Sequence, residues 1–357
     1  MNNICFFCGD ISRGGGTEKI TSVIASKLSK YQNYKIYIFD ISNEGAKDAY
    51  FQFAKNIKII HIDNSLSFLK KIHALYYYLK KYDINILINV DVMLYVYSLL
   101  PTKFLKIKTI NWEQFNYYND IGSKNTKKIR QLALLLGDYY INLTKQDMLV
   151  FMKNFKIKSQ ITYMYNPVEK ELNYTYKTDS KIIITAGNFF EMKGYDACVR
   201  IGLKVFSKHP DWKWVFCGDG PCMEDIKKMI ENSGMKSNFV LKGRTKNLDY
   251  EMSQSSIYVS CSKSEGFGLV LIEAQNNGLP IVSFDVPFGP KEIVVDGING
   301  YLIENLNEDE MCKKILYLIE NLSIRNKFSE KSHINFGKFD IELIIKKWID
   351  IIENVKR

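Results

Sequence analysis

The sequence predicts an α/β protein built from two parallel-sheet domains, and three observations carry that expectation. Short apolar runs alternate with helical stretches along the chain, the rhythm of parallel strands joined by covering helices. With 357 residues the chain is long enough for two full hydrophobic cores. A strand, a glycine-bearing loop and a helix open each half, first at residues 3–28 and again from residue 181. Composition agrees, since 46% hydrophobic and 25% charged residues describe a globular chain, not a disordered one.

Asn3–Cys8 reads as a buried strand that runs into Gly9-Asp10-Ile11-Ser12-Arg13-Gly14-Gly15-Gly16-Thr17-Glu18 and a helix through about Leu28. The loop lacks the Gly-Lys-Ser/Thr ending of a P-loop and the dinucleotide spacing of glycines. Further strands are expected at Lys35–Asp40, Lys58–Ile62, Asn85–Val90, Lys108–Asn111, Tyr139–Leu143 and Gln160–Tyr165. The helix Leu66–Lys81 places Leu69, Ile72, Leu75 or Tyr76, and Leu79 on one stripe. Lys70, Lys71, Tyr77, Tyr78 and Lys81 lie on or beside the other, a pattern that suits either a solvated sheet-covering helix or a membrane interface. Asn111–Tyr117, with Glu113 and Gln114 inside it, follows a strand and so lies at the carboxyl edge where open α/β sheets bind ligands. Asn166-Pro167-Val168-Glu169 closes the first domain, and Lys170–Ser180 reads as a linker. The second domain, 168–340, continues with strands at Lys181–Ala186, Trp212–Cys217, Phe239–Lys242 and Ile257–Ser260. Asp296–Gly300 reads as a turn and the remainder as helical, ending in a helix from about Ile341 to Val355.

Seven cysteines, an odd number, show no framework spacing, and Cys5 and Cys8 sit three apart in a strand, facing opposite ways. They are expected to be packing residues of a reduced, cytoplasmic protein. The scattered His61, His73, His209 and His333 suggest no metal cluster. Asp10 and Arg13 interrupt any signal-peptide pattern, and no uncharged apolar run reaches the roughly eighteen residues of a membrane span. Charge is uneven: residues 1–167 hold 23 Lys and Arg against 12 Asp and Glu, whereas residues 168–357 hold 26 against 27. A basic domain beside a neutral one points to an anionic surface, phospholipid or nucleic acid. No nucleic-acid-binding module is recognisable, so phospholipid is the expectation.

The stretch from Ser262 to Asp285 carries the chemistry. Glu265 is followed by Gly266-Phe267-Gly268 and then by the apolar helical run from Leu269, with Glu273 about one turn inside and Gly278 and Pro280 ending it. Two glycines ahead of a helix leave its first amides uncovered, and those N–H groups together with the helix dipole make a site for an anion such as a diphosphate. A carboxylate at Glu273 can accept two hydrogen bonds from the vicinal diol of a ribose. Glu265 would face the far side of the phosphates, where a transferred group would lie.

That order of residues resembles the large family of retaining, nucleotide-sugar-dependent glycosyltransferases of the GT-B fold, family 4, in their bacterial surface-polysaccharide form. The resemblance implies two Rossmann-like domains facing a deep interdomain cleft, 1–167 binding the acceptor and 168–340 the nucleotide sugar, with the helix at about 341–357 crossing back to the first. It places the ribose on Glu273, the donor sugar near Glu265 and the diphosphate on the backbone from Gly266 through Phe267 and Gly268 to Leu269. It gives Gly15, Gly16 and Thr17 contacts to donor phosphate or acceptor, and makes Lys193, before Gly194, a point charge on the phosphates. Where the family commonly has a histidine on the donor sugar, this chain has Gln114 next to Glu113. Where an arginine usually follows the first glycine of Gly187-Asn188, Asn188 stands. Arg244 would be a phosphate or base contact.

The implied reaction is retaining transfer of a hexose or N-acetylhexosamine from a nucleotide diphosphate sugar, UDP being the family's usual nucleotide, to a lipid-linked or other glycan acceptor; the basic first domain suggests one carried on lipid pyrophosphate. No metal is implied, since no Asp-x-Asp is seen and positive groups can stabilise the leaving diphosphate. The basic first domain would rest on the anionic inner face of the plasma membrane, leaving the protein cytoplasmic and peripheral. A sugar-nucleotide 2-epimerase and a non-catalytic partner subunit remain alternatives, the latter because of Asn188 and Gln114.

Overall fold

The computed structural model describes residues 2–42, 48–119, 124–168 and 175–356. Glu169 and the first half of the expected linker, 170–174, lie outside them. The chain divides into two compact units, residues 1–167 with 341–357, and residues 168–340.

The first unit holds a seven-stranded parallel sheet of β1 (Asn2–Cys8), β2 (Tyr34–Ser42), β3 (Lys58–Asp63), β4 (Ile86–Val90), β5 (Lys108–Trp112), β6 (Tyr139–Asn142) and β7 (Gln160–Tyr163). Their spatial order is β3-β2-β1-β4-β5-β6-β7. The central strands are covered on both faces, which is why β4, Ile-Leu-Ile-Asn-Val, is apolar at four of five positions and buried at all five. Strand order reverses between β1 and β4, whose Ile4 and Ile86 pair in register. Loops leaving such neighbours run to opposite faces and open a crevice at the carboxyl edge.

The helix Ile341–Lys356 belongs to this unit although it ends the chain. It delivers Trp348, fully buried, 5.0 Å from the ring of Trp112 and 6.2 Å from that of Phe6. The Tyr34 hydroxyl donates to Glu353 at 2.8 Å and holds the helix's last turn to β2.

The second unit repeats the plan with six parallel strands: β8 (Ile182–Ala186), β9 (Lys213–Cys217), β10 (Phe239–Gly243), β11 (Ile257–Ser260), β12 (Ile281–Asp285) and β13 (Gly300–Glu304), in the order β10-β9-β8-β11-β12-β13. Here the reversal falls between β8 and β11. Trp214, fully buried, anchors the core and donates its indole N–H to the Thr185 hydroxyl at 3.0 Å, so the ring is buried with its polar edge satisfied.

Two expectations need correction. The stretch after the turn at 296–300, read as helical, is first an edge strand, β13, whose Gly300 to Glu304 pair with Ile281 to Asp285 of β12; an edge strand of four side chains carries too little periodicity to announce itself. Leu69, placed on the buried stripe of the helix now seen at Phe68–Lys81, is 73% exposed. Of this helix only Leu75 and Leu79 are fully buried.

Candidate active site

In the second unit the loops after β8 and β11, the strands that flank the reversal, are bound to each other. The β8 loop makes one 3-10 turn at Glu191–Lys193 and closes on Gly194 at φ +66°. A Cβ there would lie 2.1 Å from the carbonyl oxygen of Cys261, so only glycine lets the loop descend onto the end of β11. The Lys263 N–H then donates to the Met192 carbonyl at 2.8 Å. Beneath, the Tyr195 ring stacks on Phe189 at 3.8 Å and its hydroxyl donates to the Gly187 carbonyl at 2.8 Å.

These ties bring the Lys193 ammonium 2.6 Å from a carboxylate oxygen of Glu265, with side-chain exposures of 30% and 11%. The chain then turns through Gly266-Phe267-Gly268. Phe267 is buried 5.7 Å from the Phe339 ring, and Gly268 at φ +89° starts the helix Leu269–Asn276. Glycine at the N-cap offers no side chain of its own to the first amides. Gly289 closes over this turn so tightly that a Cβ on it would be 2.1 Å from the Phe267 carbonyl oxygen.

Glu273 is buried within the same helix at 6% exposure. Burial first, then Glu265 and Glu273, hold the Tyr258 phenol proton well above its usual range, which sets both carboxylates around the carboxyl end of β11. Asn188 is half-buried in the β8 loop. Arg244, 44% exposed after β10, reaches to 3.9 Å from the Asp219 carboxylate.

At the corresponding edge of the first unit, Glu113 follows β5 with no exposure at all. One of its oxygens accepts from Arg130 Nε at 2.8 Å and from the Tyr140 hydroxyl at 2.9 Å; the other accepts from the N–H groups of Gln114 at 3.2 Å and Phe115 at 3.1 Å. Arg130, also buried, gives its remaining donors to the carbonyls of Asn116 and Tyr117. Together they shape the loop that carries Gln114, 8% exposed, whose Nε2 is buried without a hydrogen-bond partner.

Between the carboxyl ends of β1 and β4 lies a cavity of about 170 Å³. Arg13, Thr17, Glu18 and Asp91 form its polar side, with Ile11 and Phe115 among its apolar walls. Asp91 holds φ +87°, a value few residues other than glycine adopt. Burial, with the charge of Glu113 added, pushes its carboxyl up to about 7.

Comparison with known proteins decides what this arrangement belongs to. Residues 170–333 match the family described as "Glycosyl transferases group 1". Over 361 aligned positions, 99% of this chain and all of its relative, the sequence is 30% identical to an uncharacterized glycosyltransferase of Haemophilus influenzae. The chain is a group 1 glycosyltransferase. It is also 23% identical, over 99% of this chain and all of the relative, to the amylovoran biosynthesis glycosyltransferase AmsD of Erwinia amylovora. With the poly(ribitol-phosphate) alpha-N-acetylglucosaminyltransferase of Staphylococcus aureus it shares 29% over 70% of this chain and 51% of that one, so it spans about half of that relative. The fold is shared with S. aureus TarM, solved as a mutant with fondaparinux, α-GlcNAc-glycerol and UDP (TM-score 0.84, 19% identity, 98% of this chain and 99% of that). It is shared too with the pneumococcal O-GlcNAc transferase GtfA, solved with UDP and GlcNAc (TM-score 0.83, 16% identity, 100% and 99%). The two sheets are those of the GT-B fold.

Of the residues singled out in the glycosyltransferase's sequence, Lys193, Glu265, Gly266, Gly268, Leu269 and Glu273 come together in the second unit. Two others need correction. Glu113 cannot meet a substrate: it is fully enclosed and all its hydrogen bonds go to protein, so its part is to build the Gln114 loop. Gly15 does not offer its amide to a phosphate, because that N–H donates to the Glu18 carboxylate at 3.1 Å. Gly16 and Thr17 start the helix Gly16–Leu28 beside it, and Thr17 lines the cavity.

Sequence reasoning passed over Asp91 and Arg130. An Asp immediately after a buried, mostly apolar strand was a legible signal for the first. Nothing marked Arg130, which joins Glu113 across seventeen residues.

Among the described residues, no three His, Cys, Asp or Glu side chains are grouped as metal ligands, and no helix is long and apolar enough to cross a membrane.

Proposed function

We propose that this enzyme transfers a hexose or N-acetylhexosamine from a UDP-sugar, with retention at the anomeric carbon, to a glycan acceptor in cell-surface polysaccharide synthesis, in the manner of glycosyltransferase family 4. The observation that carries the reading is the Lys193–Glu265 pair, 2.6 Å apart where the strands reverse and in the loop that leads through the glycine N-cap Gly268 into the helix Leu269–Asn276. Donor diphosphate binds at the amides of Gly268 and Leu269, Lys193 neutralises it, and Glu273 takes the ribose hydroxyls. On leaving, the diphosphate gains a negative charge that Lys193, with Arg244 nearby, stabilises. Glu265 orients both Lys193 and the donor sugar, and Gln114 offers its amide to a sugar hydroxyl. The acceptor hydroxyl attacks from the face the diphosphate leaves, which accounts for retention without a protein nucleophile. No metal is required, since a fixed cation already faces the phosphates.

TarM and GtfA, which share the fold, were both solved with UDP, and that supports the choice of nucleotide. A thermal-shift panel of nucleotide sugars tests the reading. One UDP-sugar should stabilise the wild type, and Glu273→Ala should lose that shift. A panel without any shift would sink it.

The acceptor is carried on lipid pyrophosphate at the inner membrane face, and the protein is cytoplasmic and peripheral. The helices Phe68–Lys81 and Tyr95–Leu105, joined by the Phe68 and Tyr97 rings at 5.1 Å, support this placement. They expose Leu69 at 73%, Leu100 at 53% and Phe104 at 78% among Lys70, Lys81 and Lys103. Apolar side chains ringed by lysine suit an anionic lipid surface, each lysine adding about 1 kcal/mol. In flotation with phosphatidylglycerol liposomes the protein should rise with the lipid at low salt. Protein left at the bottom there would count against the membrane surface.

A further inference from the structure

The turn Gly266-Phe267-Gly268 carries one side chain, and that side chain is gripped from the far end of the second unit. We propose that Phe339 is a positioning residue for the donor: its ring holds that of Phe267, and so fixes the direction in which the Gly268 and Leu269 N–H groups meet the donor diphosphate. The inference rests on the donor reading above and adds to it a residue that touches no substrate.

Glycines on both sides leave the backbone of the turn many conformations, so whatever fixes it has to act on Phe267. Two contacts do. The Phe267 ring, 2% exposed, lies edge-on to Phe339, with centroids 5.7 Å apart and planes at 73°. Aromatic pairs favour that geometry beyond what burial alone gives. On the backbone side, the Phe267 carbonyl approaches Gly289, where a Cβ would be 2.1 Å from the oxygen. A trans peptide sets its C=O and N–H in opposite directions. With the carbonyl turned toward Gly289 and the side chain toward Phe339, the Gly268 N–H points away from Gly289.

Phe339 is itself pinned. It ends the 3-10 turn Phe336–Phe339, is fully buried, and has the Phe336 ring 6.2 Å away. Its carbonyl accepts from the Val168 N–H at 3.0 Å, and Val168 forms a parallel bridge with Asp340, so the two ends of the second unit are tied together at this residue. The neighbouring Lys338 ammonium is 5.1 Å from the Phe339 ring and feels the charge of Glu292, in the helix Pro290–Ile293 that follows Gly289. Both contacts on Phe267 thus come from segments that are braced together. A stiff support is what an anion site made of backbone dipoles requires, because amides already aimed at the charge need no reorganisation when it arrives.

The experiment titrates UDP, and uridine, which lacks the phosphates, against the wild type and variants at a temperature where all are folded. Phe339→Leu should bind UDP about tenfold more weakly or worse, the loss of one hydrogen bond to a charged group, and should bind uridine as the wild type does. Phe267→Leu should match it. The double variant should be no weaker than Phe267→Leu alone, since the second ring acts only through the first. Phe206→Leu removes an equally buried ring, 5.1 Å from Phe239 in the same core, and should lower Tm while keeping UDP affinity. Should Phe339→Leu fold poorly, Phe339→Met, whose flexible side chain fills gaps better, should show the same selective loss.

Unchanged UDP affinity in the folded Phe339 variants overturns the inference. So do an equal weakening of UDP and uridine, losses that multiply in the double variant, and a loss of the same size in Phe206→Leu. Where uridine binds too weakly to measure, the double variant and Phe206→Leu decide by themselves. Each of these outcomes leaves the donor reading standing. Wild-type protein that binds no UDP would mean that the donor reading itself has failed and has taken this inference with it.

Discussion

Glu113 and Arg130 show how one buried pair fixes a loop that neither touches through its own backbone alone. The carboxylate satisfies two loop amides, a tyrosine hydroxyl and the guanidinium, and the guanidinium satisfies two carbonyls. Removing one partner strands the other's charge in a dry interior, at a cost of about 3–5 kcal/mol. Glu113→Ala should lower stability by that amount in urea unfolding. Near-wild-type stability together with lost activity would instead restore Glu113 as a substrate contact. Asp91 gives a pH-dependent counterpart. Its folded carboxyl holds a proton up to about pH 7, whereas in the unfolded chain it ionises near about 4. Its contribution is therefore neutral below the lower value and destabilising as pH rises through the upper one. Asp91→Asn should raise Tm more at pH 8 than at pH 4.5, and an equal shift at both would argue against a raised carboxyl.

At the scale of elements, the site is two loops held at the reversal of a parallel sheet. Gly194 is the joint: its φ of +66° and its approach to Cys261 let the β8 loop place Lys193 against Glu265. Gly194→Ala would drive a methyl group into a backbone carbonyl. It should cost about 1–3 kcal/mol and, by separating Lys193 from Glu265, weaken donor-induced stabilisation. Differential scanning fluorimetry with and without the UDP-sugar reads both effects; an unaltered donor shift would mean that the pair does not depend on this joint. Legibility differs sharply between the two site elements. The Glu265–Glu273 segment could be read because turn, helix start and both carboxylates are contiguous. The Glu113–Arg130 arrangement could not, because its partners come from different elements and neither has a periodic or spacing signal. Leu69 failed for a related reason, since helical periodicity fixes which residues share a stripe but not which turns of the helix are covered by the rest of the fold.

The whole molecule is two repeats of one plan, with its last helix counted into the first. Trp348 brings a fully buried ring to the Trp112 and Phe6 side chains, so residues 341–357 complete the first unit's core. Ending the chain at Asp340 should uncover that surface and yield aggregated or protease-sensitive protein; a monomeric fragment with unchanged tryptophan fluorescence would contradict it. By itself the sequence determined the parallel-sheet architecture, most strand positions and the turn-and-helix motif from Glu265 to Glu273, because each rests on alternation, glycine placement and neighbours along the chain. Only the tertiary structure decided that Glu113 is walled in by Arg130, that Gly15 is bonded to Glu18, and that Asp91 is a strained carboxylate facing a cavity. Those outcomes depend on burial and on contacts between residues far apart in sequence, and no local pattern of side chains encodes either.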